Sequence, residues 1–228
     1  MSSLAELNEC IVGCTKCPRL TVYREEIGRV KKRMWQDWEY WAKPVPGFGD
    51  PNAKVLLLGL APGAHGSNRT GRPFTGDGSG KFLYPVLHAT GFASQPIATD
   101  VGDGMKLKHC YITSVIRCAP PGNKPERTEI ENCRWFLDAE LAALKKLRVV
   151  VALGKIGFEG YLDYLQRTGI VESKGRYTFA HGAEYKMPNR VVLLASYHPS
   201  LQNTNTGKLT EPMFRRIFLR ARDLAGIK

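Results

Sequence analysis

One long glycine-rich loop, one histidine loop and a split set of cysteines carry the residue types that do chemistry in this 228-residue chain. The first loop runs Gly59-Leu60-Ala61-Pro62-Gly63 and continues to Gly71-Arg72-Pro73-Phe74-Thr75-Gly76-Asp77. The second reads His198-Pro199-Ser200-Leu201-Gln202-Asn203. Glycines at Gly59 and Gly63 allow close approach of backbone to a ligand. A histidine and an aspartate on such loops are candidates for hydrogen-bond donation and for charge stabilisation. Asn123, in a Pro-Pro-Gly-Asn turn, brings an amide that both donates and accepts.

Cys14-Thr15-Lys16-Cys17-Pro18 is a C-x-x-C followed by proline, and Cys118 and Cys133 follow at long range. Four thiolates divided this way suit one [4Fe–4S] cluster, with a zinc ion as the alternative. Either would tie the N-terminal segment to the rest of the chain. Cys10, Cys14 and Cys17 also have the three-cysteine spacing of radical SAM enzymes. That family needs a larger β/α barrel, for which the strands are too few, so Cys10 reads as a helix-face thiol.

The elements that position these loops are legible. Residues 54–61, 110–116, 148–153 and 191–196 are apolar runs, and three are nearly continuous in Val, Leu and Ile. That pattern fits parallel strands buried on both faces. Helical periodicity occupies 80–91, 128–147, 155–167 and 211–225, with Trp135, Leu137, Leu141 and Leu144 on one expected stripe. Alternating strands and helices imply an α/β/α three-layer sandwich around a four-stranded, mainly parallel sheet. Residues 170–190 are expected to form a short inserted hairpin. One domain over 1–228 is the default at this length. Ligands of such sheets bind beyond the carboxyl ends of the strands, which is where segments 62–78, 117–127 and 197–207 fall.

Composition narrows the partner. Lys plus Arg exceed Asp plus Glu by 33 to 21, a net charge of +12. Such a surplus favours a polyanion, whose binding loses about 0.9 in log–log salt slope per neutralised phosphate. There is no apolar stretch long enough to span a membrane and no signal-peptide pattern, so a cytoplasmic monomer without a membrane partner is expected. Lys31, Lys32 and Arg33 precede Trp35, Trp38 and Trp41, and Arg215, Arg216, Arg220 and Arg222 lie near the C-terminus. These tryptophans read as packing and the charges as solvated faces, with 31–33 as candidate phosphate contacts.

Taken in order, GLAPG, GRPFTGD, the cysteine spacing and the HPS loop resemble the uracil-DNA glycosylase superfamily. The match is closest to its iron–sulfur type B branch, the fifth family, and runs over about residues 6–222. The resemblance implies excision of uracil from DNA by base flipping, with Cys14, Cys17, Cys118 and Cys133 holding the [4Fe–4S] cluster. It places Phe74 as the ring that stacks on the flipped base. It places His198 as the donor to the pyrimidine oxygen beside the scissile nitrogen, and Asp77 as the carboxylate for the water or the cationic sugar. Asn123 matches an active-site asparagine. Ala61, Gly63 and Ser200 become phosphate and sugar contacts, and Leu201, in segment 201–205 with Asn203, the apolar wedge. His65 and His181 have no motif support.

Two departures matter. Leu60 replaces the acidic or amide residue that other branches use on water, and Ser114 replaces an asparagine that reads the uracil edge. Both imply that uracil is accompanied by other deaminated bases, hypoxanthine and modified uracils among them. No lysine has motif support as a Schiff-base nucleophile, so the expected enzyme is monofunctional and leaves an abasic site. The competing expectation is a non-catalytic iron–sulfur or zinc nucleic-acid-binding protein.

Overall fold

A computed structural model describes residues 3–228. Its centre is a sheet in the order β1-β3-β2-β4-β6-β5, made of β1 (Phe48–Gly49), β2 (Val55–Gly59), β3 (Cys110–Ser114), β4 (Val149–Leu153), β5 (Glu184–Lys186) and β6 (Val192–Ser196). The four strands expected from the sequence are the parallel centre, and all twenty of their residues are buried. Burial on both faces explains the nearly unbroken aliphatic character of β2, β4 and β6.

The sheet has six strands, however, because an antiparallel strand closes each edge. β1 pairs with β3 and β5 with β6. The hairpin expected inside 170–190 is also different. Only β5 forms there, and it pairs forward with β6, with Met187 and Arg190 in the turn between them.

Helices cover both faces. α4 (Gly78–Ala89) and α8 (Glu211–Ala225) place Leu83, Leu87, Phe214 and Phe218 against Val55, Leu57 and Ile112. On the other face α5 (Arg127–Ala143) and α6 (Lys155–Arg167) pack Leu137, Leu141, Phe158 and Leu162 against Leu56, Leu58 and Val150. Trp135 does not share that stripe. It is 56% exposed, one residue before the buried Phe136, on which its ring packs edge-on. Two short helices, α3 (Ser67–Thr70) and α7 (Leu201–Asn205), belong to the loops at the carboxyl end of the sheet.

The N-terminal segment forms α1 (Leu4–Val12) and α2 (Pro18–Val30). Ser3 and Glu6 make a reciprocal capping box at the start of α1, and Pro18 opens α2 at a position where its missing N–H costs nothing. Leu7, Ile11 and Leu20 join Ile116, Cys118, Cys133 and Phe136 in a small separate core. Arg19 adds a two-pronged contact to Glu129 on α5, at 2.8 Å from both Nε and Nη2. Among the described residues no helix is long and apolar enough to cross a membrane.

Candidate active site

The loops after β2, β3 and β6 enclose one cavity of about 520 Å³, the size of a ligand pocket. Gly59, Leu60, Ala61, Gly63, Phe74, Asp77, Ser114, Asn123, His198, Ser200 and Leu201 all line it. Asn203 does not. Its side-chain amide instead donates to the His198 carbonyl at 2.8 Å and so fixes the histidine loop from behind.

Asp77 is the N-cap of α4, with Oδ1 accepting from the Gly80 N–H at 2.9 Å. Its other oxygen lies against two glycines. A methyl group on Gly66 would sit 2.2 Å from Oδ2, and one on Gly63 would sit at 3.0 Å. Burial raises the Asp77 carboxyl above the usual range, against the opposing pull of the Gly80 and Ser79 amides and of Arg69. A buried carboxylate held by backbone donors is an electrostatic tool aimed at developing positive charge.

Phe74 has a left-handed backbone, φ 52°, uncommon for a bulky residue. The turn is held around it. Tyr84 donates to the Pro73 carbonyl at 2.9 Å, and Thr70 donates to the Thr75 carbonyl at 3.1 Å. Arg72 bridges to Asp103 through both guanidinium nitrogens, at 2.8 and 2.6 Å. Together they present the Phe74 ring to the cavity beside His198, with ring centroids 5.7 Å apart and planes 33° from parallel. Burial lowers the His198 pKa to about 4, so the imidazole is neutral at pH 7 and carries one donor nitrogen.

Ser114 is buried in the cavity wall and gives its hydroxyl proton to the Ile116 carbonyl at 2.7 Å. Toward the cavity it therefore offers only lone pairs. Next to it, Thr113 donates to Glu140 Oε2 at 2.7 Å, and Arg117 reaches both Thr113 and Glu140. This fully buried ion pair beneath the wall has no motif in the sequence. Asn123 sits exposed at the rim with φ 57°. Leu201 is 57% exposed, and a side chain at Gly78 would collide with it at 2.6 Å, so it spans the two loops at the cavity mouth.

His65 and His181 have local duties. His65 Nδ1 meets the Tyr40 hydroxyl at 3.0 Å, and His181 Nδ1 accepts from the Tyr197 N–H at 3.2 Å. Trp35 and Trp38 pack on the Arg69 guanidinium, and Arg222 donates inward to the Thr90 carbonyl.

Cys14, Cys17, Cys118 and Cys133 line a second, smaller pocket with Leu20, Phe136 and Arg24. Arg24 is buried and donates to Cys118 Sγ at 3.0 Å, and Asn132 Nδ2 lies 3.5 Å from Cys17 Sγ. Donors to sulfur are what anionic thiolates require. Among the described residues no three Cys, His, Asp or Glu gather round one point as ligands of a single ion do. A cubane asks for something else, since each thiolate binds its own iron and the sulfurs stand apart. Cys10 is exposed on α1 and is not part of this pocket.

Sequence comparison supplies the kinship. The model of the uracil DNA glycosylase superfamily matches residues 46–222. A type-5 uracil-DNA glycosylase of Thermus thermophilus is 50% identical over 220 residues, covering 96% of this chain and 97% of that protein. A type-5 uracil-DNA glycosylase of Mycobacterium tuberculosis is 44% identical over 227 residues, covering 99% and 83%. A type-4 uracil-DNA glycosylase of Archaeoglobus fulgidus is more distant, 28% identical over 203 residues, covering 88% and 83%. Nearly full-length identity at this level, joined to a family match over most of the chain, means that the protein belongs to the uracil DNA glycosylase superfamily, in its type-5 branch.

Proposed function

We propose that this protein is a monofunctional DNA glycosylase that flips uracil out of DNA and hydrolyses its N-glycosidic bond, leaving an abasic site for base excision repair. The observation that carries the reading is the meeting of a carboxylate, a neutral imidazole and an aromatic ring in one cavity. The flipped base stacks on Phe74. As the bond between sugar C1′ and the base nitrogen breaks, negative charge grows on the base and positive charge on the sugar. Neutral His198 donates a hydrogen bond to the base oxygen without transferring a full charge. Asp77 stabilises the cationic sugar and orients the water whose oxygen bonds to C1′. The proton lost by that water leaves through the carboxylate, and the base departs as the anion.

Deaminated bases beyond uracil follow from Ser114. Its acceptor-only hydroxyl suits a ring N–H, which uracil and hypoxanthine both carry where cytosine and adenine have a bare lone pair. Hypoxanthine and modified uracils are therefore substrates in this reading. In this reading the protein acts on DNA as a monomer.

Cys14, Cys17, Cys118 and Cys133 hold a [4Fe–4S] cluster in this reading, supported by their shared pocket and by the Arg24 contact to Cys118. When bound, the cluster ties α1 and α2 to α5 and adds no step to the hydrolysis.

Release of free base from a labelled duplex carrying one uracil tests the proposal, with hypoxanthine duplexes beside it at one stated salt concentration. Tight DNA binding without release would favour the non-catalytic binder. His198→Ala should cut release by roughly 100-fold or more while the brown colour of the purified protein persists. Unchanged release would remove His198 from the mechanism.

A further inference from the structure

The turn that carries Asp77 is closed by a residue outside the cavity. Arg69, in α3, is only 2% exposed. Its Nη2 donates to the Gly76 carbonyl at 2.9 Å, on the residue just before Asp77, and its Nε donates to the His65 carbonyl at 3.0 Å. Trp35 and Trp38 clamp the guanidinium, whose carbon lies 3.9 and 4.2 Å from their ring centroids. The fit leaves no space on the other side. Gly76 has φ 84°, and a methyl group there would sit 2.3 Å from Arg69 Nη2. A planar cation pressed on aromatic faces loses little freedom per hydrogen bond made.

The same arginine acts on Asp77 electrostatically. The other groups around that carboxylate are neutral: the Gly80 and Ser79 amides of α4, the Gly63 and Gly66 backbone, and His198 across the cavity. His65, on the far side of Arg69, feels the charges of Lys32 and of Arg69. Arg69 Nη1 is buried with no hydrogen-bond partner in the protein, and the groups that act on the guanidinium electrostatically are Tyr40 and then Asp77.

We propose that Arg69 is the positioning residue and counter-charge of Asp77, locking the Gly76–Asp77 turn while its positive charge acts on the carboxylate. This rests on the role proposed above for Asp77. It also gives Trp35 and Trp38 a shared purpose: they hold the cation that holds the turn.

The test is single-turnover excision from a uracil duplex across pH, with Arg69→Met and Arg69→Lys made in the wild-type and Asp77→Asn backgrounds. Removing a nearby positive charge raises a carboxylate's titration. Arg69→Met should therefore slow excision at least tenfold and shift the acid limb to higher pH. Arg69→Lys keeps the charge and loses the fork, so it should slow excision with the limb in place. In the Asp77→Asn background neither change should move the limb. An acid limb of Arg69→Met that superposes on wild type overturns the proposal, as does an equal shift in the Asp77→Asn background. Wild-type rates in Asp77→Asn alone would defeat the role of Asp77 itself. Trp38→Leu covers the case in which Arg69→Met does not fold. It should slow excision without moving the limb, and an unchanged rate would overturn the positioning role.

Discussion

The rings of Phe74 and His198 lie 5.7 Å apart, tilted by 33°, at the junction of two loops that are more than 120 residues apart in the chain. Neither ring needs to travel to meet a base entering between the loops. The imidazole is kept neutral by the same enclosure that the aromatic ring helps to create.

That neutrality has a measurable cost at low pH. An unfolded histidine titrates near 6.5, and His198 in the fold near 4. Above pH 6.5 both states are neutral and stability is at its full value. Between pH 6.5 and 4 the unfolded chain binds the proton first, so stability falls as pH falls, on the order of 3 kcal/mol in total. Thermal melts of wild type and His198→Gln across that window should diverge, with the variant showing the shallower loss. Parallel curves would contradict the depressed titration.

Asp77 has two duties that can be separated. Asparagine is as good an N-cap as aspartate, so Asp77→Asn should keep the Gly80 contact and the melting temperature while excision falls sharply. Asp77→Ala should lose the cap as well, about 1 kcal/mol. Equal stability loss in both variants would mean that the carboxylate, and not the cap, holds α4.

Leu201 stands exposed at the cavity mouth, packed on the backbone of Gly78. As a wedge it should matter only where a base must be pulled from a paired stack. Leu201→Ala is expected to slow excision from a uracil–adenine pair several-fold more than from a single strand. The comparison is a ratio of rates, and a ratio of one would assign the wedge elsewhere.

The ion pair of Arg117 and Glu140 is 1% and 0% exposed and touches Thr113 in the cavity wall. Breaking one side leaves a buried charge, so Glu140→Gln should destabilise by roughly 3–5 kcal/mol. Replacing both with apolar residues of similar size should recover much of that loss in denaturant titrations. Excision should stay impaired, because Thr113 would lose its anchor.

What could be read from sequence follows burial. The four central strands are legible because enclosure on both faces favours apolar runs, nearly unbroken and aliphatic in β2, β4 and β6 and mixed with Tyr, Thr and Ser in β3. β1 and β5 are two and three residues long and half-buried or exposed, too short for any pattern. The start of α1 had a signal in Ser3-x-x-Glu6, and α2 in Pro18, but their mixed composition masked the helices. Trp135 misled because helical spacing alone does not say which side of a stripe a residue takes. The cavity residues were found through loop chemistry and resemblance. The direction of the Ser114 hydroxyl, the seat of Arg69 and the Arg117–Glu140 pair were not, since each depends on contacts between segments far apart in the chain.

The two short edge strands have a consequence for how the molecule behaves in a crowded cell. Four parallel strands, three of them nearly pure valine, leucine and alanine, would, if their flanks were open, offer a long template for another chain to join. β1 covers one flank with only two residues, and β5 covers the other with Glu184 tied to Arg220 at 2.8 Å. What faces outward is a brief margin, charged on the β5 side. A highly aliphatic sheet is thereby kept from recruiting its neighbours, and the protein can afford a greasy centre without becoming a seed for aggregation.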